Sequence, residues 1–74
     1  MQIYSYEDFV YVKNVGAANA QGDVFIYDLT GRLIFQDKLQ NSLVSKYTLN
    51  VNEGYYVVKV VTPDNTYHQK IYLK

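Results

Sequence analysis

The side chains that could do chemistry in this sequence are few and widely spaced. The only histidine, His68, lies in the middle of an alternating stretch, and nucleophilic catalysis would need a serine within hydrogen-bond reach of its imidazole. The serines at positions 5, 42 and 45 stand in no glycine-flanked nucleophile motif. We therefore expect His68 to be an exposed residue without a catalytic role, and we expect the chain not to be an enzyme.

The carboxylates and glycines do not form a recognisable site either. The pairs Glu7/Asp8 and Asp23/Asp28 could serve as acid and base, but solvation in loops and turn capping account for them more simply. Further side-chain oxygens that could bind calcium belong to Asp37, Glu53, Asp64 and Asn65. Their spacing is not that of a calcium-binding loop, and the four glycines are isolated from one another. We predict no metal site, no cofactor and no catalytic residue.

The bulk properties exclude several classes of protein. With 74 residues and no cysteine, the chain is at most one domain without disulfides or thiolate metal sites. Its seven basic and seven acidic residues cancel, whereas a nucleic-acid-binding surface needs a basic excess. No apolar run approaches the ~20 residues needed to cross a membrane, and the first residues lack the features of a signal peptide. We expect residues 1–74 to be one domain taken from a larger protein.

The composition predicts strands. Nine tyrosines, three phenylalanines and many valines, with a single proline, favour pleated and half-buried surface. Alternation predicts extended stretches at residues 3–6, 7–14, 22–28, 33–36, 45–51, 54–62 and 66–74. Residues 15–21 are predicted as a loop, and turns are predicted at residues 52–54 and 63–65. The fold class predicted from this spacing is all-β, a small antiparallel Ig-like β-sandwich of six or seven strands.

The clearest element is the hairpin whose turn runs from Asp28 to Gly31. Its composition is that of a type I turn, in which Asp28 accepts backbone N–H bonds and Gly31 tolerates a positive φ. A bulge after Gly31 would reverse the phase of the second strand, so the orientation of Leu33 stays open. Arg32 either pairs with Asp28 or Asp37, or it binds a carboxylate of another molecule.

The two faces of the strands follow from their alternation. Lysine is rarely fully buried, so the face of residues 54–62 that carries Lys59 points outward and the other face points into the core. The predicted core comprises Val10, Val12, Val24, Ile26, Leu33, Phe35, Leu49, Val51, Tyr56, Val58, Val60, Ile71 and Leu73. Outward phases of separate strands carry Tyr11, Tyr27, Tyr55 and Tyr72. These tyrosines either line an interaction face or simply suit strands.

Three ordered stretches stand out once the strands are placed. The first is VFIYDLTGRLI at residues 24–34, the second is GYYVVKV at residues 54–60, and the third is KIYLK at residues 70–74. They resemble, in order and spacing, the C-terminal sorting domain of the Bacteroidetes type IX (Por) secretion system. That family has a V-x-(I/V)-Y-D-x-x-G-(R/K) segment, a G-x-Y-(I/V)-V-K-V segment and a basic–apolar ending. Residues 3–14 depart from the family because they lack its proline-containing entry to the first strand.

The resemblance implies a secretion signal made of folded structure. Such a domain ends a larger secreted protein whose cargo part lies N-terminal to it and reaches the periplasm first. The outer-membrane translocon of the type IX system would recognise the domain and export the cargo to the cell surface or the extracellular space. A sortase-like peptidase would then usually remove the domain. The domain is on this reading a ligand of that machinery, with no nucleic acid, small-molecule substrate or cofactor.

The resemblance also implies which residues matter. Partner recognition would fall on Gly54, Tyr56, Lys59, Lys70, Ile71, Leu73 and Lys74. Asp28, Gly31 and Arg32 would hold or decorate the hairpin, and some recognition residues would serve folding alone. An open edge on the last strand would also allow a homodimer. The competing hypothesis is a generic Ig- or fibronectin-like accessory module of a secreted protein, used as a spacer, in adhesion or in carbohydrate binding.

Overall fold

The computed structural model describes residues 1–14, 21–40, 43–63 and 65–74. Across these ranges the chain forms seven strands: β1 (Gln2–Tyr6), β2 (Phe9–Lys13), β3 (Asp23–Asp28), β4 (Leu33–Lys38), β5 (Val44–Thr48), β6 (Gly54–Val61) and β7 (Thr66–Leu73). Within these ranges, no helix is long and apolar enough to span a bilayer. The sequence-predicted loop at residues 15–21, apart from Gln21, and Asp64 of the predicted turn lie outside the described residues. The predicted all-β fold class is confirmed.

The strands form two antiparallel sheets that pack face to face. One sheet has three strands in the order β1-β2-β5, and the other has four in the order β4-β3-β6-β7. The buried core between them comprises Val10, Val12, Val24, Ile26, Tyr47, Leu49, Tyr56, Val58, Val60, Ile71 and Leu73. In β2, β3, β5, β6 and the end of β7 the buried residues alternate with less buried ones, and each fully buried aliphatic side chain contributes about 1.5–3 kcal/mol. The sandwich therefore rests on the period-two pattern of the sequence.

A β-bulge in β4 overturns one core prediction. Ile26 is opposite Phe35, but the next residue of β3, Tyr27, is opposite Leu33, so Ile34 is the extra residue on β4. The bulge turns Leu33 outward, where it is 44% exposed instead of buried. Phe35 is half-buried and packs edge-on against the ring of Tyr47 at a centroid distance of 5.6 Å. The open question of phase after Gly31 is thus answered by the bulge.

Several strand boundaries also differ from the sequence predictions, and two of them affect a predicted core residue or a turn. The predicted strand over residues 45–51 ends at Thr48, so Val51 lies beyond it and is 36% exposed rather than in the core. The predicted strand over residues 7–14 begins only at Phe9, because Glu7 and Asp8 make the turn between β1 and β2, with a φ of 55° at Glu7. The two strand ends are joined to each other, because the N–H of Leu49 donates to the carbonyl of Asp8 at 3.0 Å.

Candidate functional site

The three motif stretches of the sequence meet at one end of the four-stranded sheet. In the register of this sheet, Asp28 is opposite Tyr56, Tyr56 is opposite Ile71, and Gly54 is opposite Leu73. The hairpin turn, the start of β6 and the end of β7 therefore lie side by side. We call this region, formed by residues 28–32, 54–56 and 71–74, the motif end of the sandwich.

The hairpin turn uses its own polar groups. One carboxylate oxygen of Asp28 accepts bonds from the hydroxyl of Thr30 (2.6 Å) and from the backbone N–H groups of Thr30 and Arg32 (3.0 Å each). The other oxygen lies 3.3 Å from Nε of Arg32, whose side chain is 79% exposed. The hydroxyl of Thr30, and then the N–H of Arg32, hold the pKa of Asp28 below its ordinary value. The predicted capping by Asp28 and its ion pair with Arg32 are both present.

Two glycines of the motif end are required by the backbone rather than by space. Gly31 has a φ of 90° and its N–H bonds to the carbonyl of Asp28, which closes the turn. Gly54 has a φ of 156° where the chain enters β6. A Cβ at either position would meet no atom within 4 Å, so the constraint is conformational. Both residues shape the motif end without offering a side chain to a partner.

Three sequence-predicted recognition residues lie in the core. Tyr56 is buried and its hydroxyl donates to the carbonyl of Asn52 at 2.6 Å. Ile71 and Leu73 are buried against the same sheet, with Leu73 only 1% exposed. Their side chains pack in the core and position β6 and β7, so the surface of the motif end is formed by their exposed neighbours.

The exposed neighbours form a small aromatic and charged cluster on the outer face of the four-stranded sheet. The rings of Tyr55 and Tyr72 meet edge to face at 5.1 Å, and the ammonium of Lys70 lies 4.7 Å from the centre of the Tyr55 ring. The hydroxyl of Tyr72 donates to a carboxylate oxygen of Glu53 at 2.7 Å, which raises the pKa of Tyr72. Sequence reasoning placed Tyr55 and Tyr72 on outward phases but did not include them or Glu53 among the site residues.

The remaining predicted lysines lie on either side of this cluster. Lys59 is half-buried on the outer face, opposite Phe25 on one side and His68 on the other. Lys74 is exposed at the end of the chain, and its backbone N–H donates to the carbonyl of Glu7 at 2.9 Å. Lys59 is therefore displaced along the sheet from the motif end, whereas Lys74 belongs to it.

The β1–β2 hairpin holds the end of β7, which the sequence did not reveal. Besides the bond from Lys74 to Glu7, the hydroxyl of Ser5 donates to the carbonyl of Tyr72 at 2.7 Å. No short-range pattern links residues so far apart in the chain. The alternation of residues 3–6 was the single available signal that a strand was present there.

The four outward tyrosines do not share one face. Tyr27, Tyr55 and Tyr72 belong to the four-stranded sheet, but Tyr11 belongs to β2 of the other sheet and stacks on Tyr4 at 5.1 Å. The outer faces of the two sheets point in opposite directions. A single surface containing all four residues is therefore ruled out. A tyrosine-lined surface could include only tyrosines that belong to the same sheet.

An open groove of about 300 Å³ adjoins the motif end between the hairpin turn and the segment before β6. It is lined by Asp28, Arg32, Ile34, Asn50, Val51, Asn52 and Tyr56. His68 lies on the outer face of the four-stranded sheet, opposite Lys59. Ser45 is buried in β5 of the other sheet, and its hydroxyl accepts a bond from the N–H of Gln40. Within the described ranges, no three or more of the metal-binding residue types converge. What this region offers to another molecule is therefore its outer surface and its strand edges.

Comparison with protein families gives one match. A family model described as a secretion system C-terminal sorting domain matches residues 6–74, which include all three motif stretches. Searches of curated proteins and of solved structures returned no match. The match begins at the last residue of β1 and takes in every residue of the motif end.

Proposed function

The chain belongs to the family of type IX secretion system C-terminal sorting domains, and from this membership we propose that it directs export of an attached cargo. The cargo lies N-terminal to the domain and passes through the periplasm, and the outer-membrane translocon recognises the folded domain. Export delivers the cargo to the cell surface or the extracellular space. A sortase-like peptidase then usually removes the domain.

The observation that supports this function is the convergence of the three motif stretches at the motif end. The hairpin turn and the buried residues of β6 and β7 hold the backbone there, while Lys70, Tyr72 and Lys74 are left exposed. A receptor needs a rigid surface of this kind, because ordering a flexible peptide on binding costs conformational entropy. The domain is then a ligand and carries no catalytic residue of its own.

The exposed lysines allow recognition to be tested apart from folding. Deleting residues 71–74 would remove Ile71 and Leu73 from the core and would therefore mix the two effects. Lys70→Ala avoids this, because the side chain is exposed and lies over Tyr55. Its matched control is Lys46→Ala, since Lys46 is also exposed and lies over an aromatic ring, that of Phe9, on the opposite sheet.

The experiment fuses residues 1–74 behind a periplasm-directed reporter in a bacterium with a type IX system. We expect the wild-type and Lys46→Ala fusions to appear outside the cell, and the Lys70→Ala fusion to accumulate in the periplasm. A wild-type reporter that stays in the periplasm would contradict the sorting function and favour the accessory-module alternative. Equal export of both lysine variants would remove Lys70 from the recognition surface.

Cleavage by the sortase-like peptidase is tested by the mass of the secreted reporter, compared between strains with and without that peptidase. A homodimer through an edge strand is the alternative use of such an edge, and sedimentation velocity of the purified domain tests it.

A further inference from the structure

The outward backbone groups of β7 can be assigned from its contacts. The carbonyl of Tyr72 accepts from Ser5, and the N–H of Lys74 donates to Glu7, so both groups point away from β6. In an antiparallel ladder, the N–H and C=O of one residue both point to one side of the strand, and those of the next residue point to the other side. Thr66, His68 and Lys70 therefore also direct their backbone groups away from β6.

This outward edge is open over residues 66–70. Thr66, His68, Gln69 and Lys70 are all exposed, and within the described part of the chain the hydrogen bonds that join the β1–β2 hairpin to the end of the chain involve Tyr72 and Lys74. Between described residues, the bond found on this edge is local, from the side chain of Gln69 to the carbonyl of Lys70 at 3.1 Å. An unpaired strand edge of this kind is a template for another strand.

The outer edge of β5 is sealed by a side chain. The carboxamide of Gln40 donates to the carbonyl of Lys46 (2.8 Å) and accepts from its N–H (3.1 Å), as the backbone of a neighbouring strand would. The N–H of Gln40 is in turn anchored by the hydroxyl of Ser45 at 3.0 Å. A strand that approached β5 would have to displace all three bonds.

The outer edge of β4 is also unsuited to pairing. The carboxylate of Asp37 accepts from the N–H of Lys38 (2.8 Å), and the hydroxyl of Tyr47 donates to the carbonyl of Lys38 (2.7 Å). At the other end of the strand, the bulge at Ile34 breaks the regular spacing of backbone groups. Residues 66–70 of β7 are thus the longest regular open edge on the four-stranded sheet as the structure describes it.

Charge indicates what this edge accepts. Lys70 points from β7 to the outer face, and Lys59 lies on the neighbouring strand of the same face. A second copy that paired antiparallel across His68 would place Lys70 opposite Thr66 and would bring no carboxylate to either lysine. Opposite charges that face each other across strands are stabilising, so carboxylates at alternate positions of an added strand are attracted to these lysines.

We propose that residues 66–70 bind an extended segment of a partner protein that carries carboxylate side chains at alternate positions. The segment adds a fifth strand to the four-stranded sheet, bonds to the outward backbone groups of Thr66 and His68 and to the N–H of Lys70, and replaces the single side-chain bond of Gln69 at the carbonyl of Lys70. The inference rests on the proposed sorting function, for which it supplies the way in which a receptor binds.

The test uses the whole domain and a proline at an outward position. His68→Pro removes an N–H that β6 does not use, and proline is tolerated where the N–H of an edge strand faces solvent. His68→Ala is the matched control, because it removes the same side chain and keeps the N–H. Thr66→Pro is a second variant at the first residue of β7, for use if the thermal unfolding of His68→Pro shows a damaged fold.

The probe is a short synthetic peptide that alternates glutamate and valine, added to isotope-labelled domain. We expect amide shifts at residues 66–70, with affinity about tenfold lower for His68→Pro and little changed for His68→Ala. A peptide that alternates lysine and valine should bind more weakly than the glutamate peptide. Equal binding of the two peptides, shifts at β4 or β5, no binding, or a dimer through β7 would each overturn the proposal.

Reporter export separates this proposal from the sorting function. If the wild-type fusion is exported and the folded His68→Pro fusion is retained while His68→Ala is exported, the edge is the receptor site. Equal export of all three would overturn the edge proposal and leave the sorting function intact. If the wild-type fusion itself is retained, the sorting function fails, and the peptide measurement alone decides whether the edge binds acidic strands.

Discussion

The hairpin turn and the end of β7 lie at the same end of the sandwich. The polar groups of the turn bond to one another, whereas β7 leaves polar side chains exposed. In the hairpin, the carboxylate of Asp28 is occupied by Thr30 and Arg32 of the same turn. In β7, the alternate residues Ile71 and Leu73 are buried, while Lys70 and Tyr72 face outward. The difference shows that one motif uses its polar groups within the fold, whereas the other divides its residues between the core and the exposed surface.

The largest effect that sharpens this comparison is expected from leucines of the two regions. Leu73→Ala should lower the free energy of unfolding by about 2–5 kcal/mol, because Leu73 is fully buried and the change leaves a cavity. Leu33→Ala in the hairpin should cost less than about 0.5 kcal/mol, since Leu33 is largely exposed. Urea unfolding of both variants measures the difference, and similar losses would mean that β4 packs more closely than described.

The next largest effect is expected at the glycine that ends the hairpin turn. Gly31→Ala should cost about 1–2 kcal/mol, because an alanine at a φ of 90° brings its Cβ too close to the backbone. Gly31→Asn is the control, since asparagine visits left-handed conformations more readily and should lose less. If the alanine variant were as stable as the wild type in urea, the turn would not require this φ.

A smaller effect is expected from the Asp28 carboxylate, and it depends on pH. Because the pKa of Asp28 is lowered from 3.8 in the fold, its contribution to stability is present above pH 3.8 and is lost as the pH falls through the lowered value. Thermal unfolding of wild type and Asp28→Asn should therefore differ at neutral pH and converge in acid. A gap between their melting temperatures that stayed constant with pH would assign the effect to something other than this ionisation.

The smallest effect on stability is expected from the exposed lysines. Lys70→Ala and Lys46→Ala should each lose less than about 1 kcal/mol, because each removes one exposed contact between an ammonium and an aromatic ring. Denaturant titration of the two variants should therefore give matching curves, although their export is expected to differ. A large loss of stability in Lys70→Ala alone would transfer this residue from recognition to folding.

The sequence was most informative where the deciding forces are local. The Asp28 turn follows from the preferences of four adjacent residues, and the orientation of β6 follows from one lysine in an alternating run. The same reasoning failed at Leu33, because a single bulge residue reverses the faces without leaving a mark in composition. It failed at Val51 because β5 ends at Thr48, although the alternation continues beyond it.

The candidate site was only partly accessible to sequence reasoning. The motif stretches could be identified one by one, but their convergence depends on strand order, which alternation does not determine. The Gln40 carboxamide beside Lys46, and Ser5 beside Tyr72, are contacts between segments that approach only after folding. Polar side chains of this type have many possible partners in an extended chain, so no local rule selects the one that is used.

The bonds between the β1–β2 hairpin and the end of β7 also have a mechanical consequence. Ser5 meets Tyr72 and Glu7 meets Lys74, so the two segments run in the same direction where they touch. Tension applied at residues 1 and 74 pulls these segments past each other, and both bonds bear the load together rather than opening in sequence. Resistance to forced unfolding is governed by the unfolding rate, and we expect this geometry to require a higher force than one in which the two bonds open one after the other.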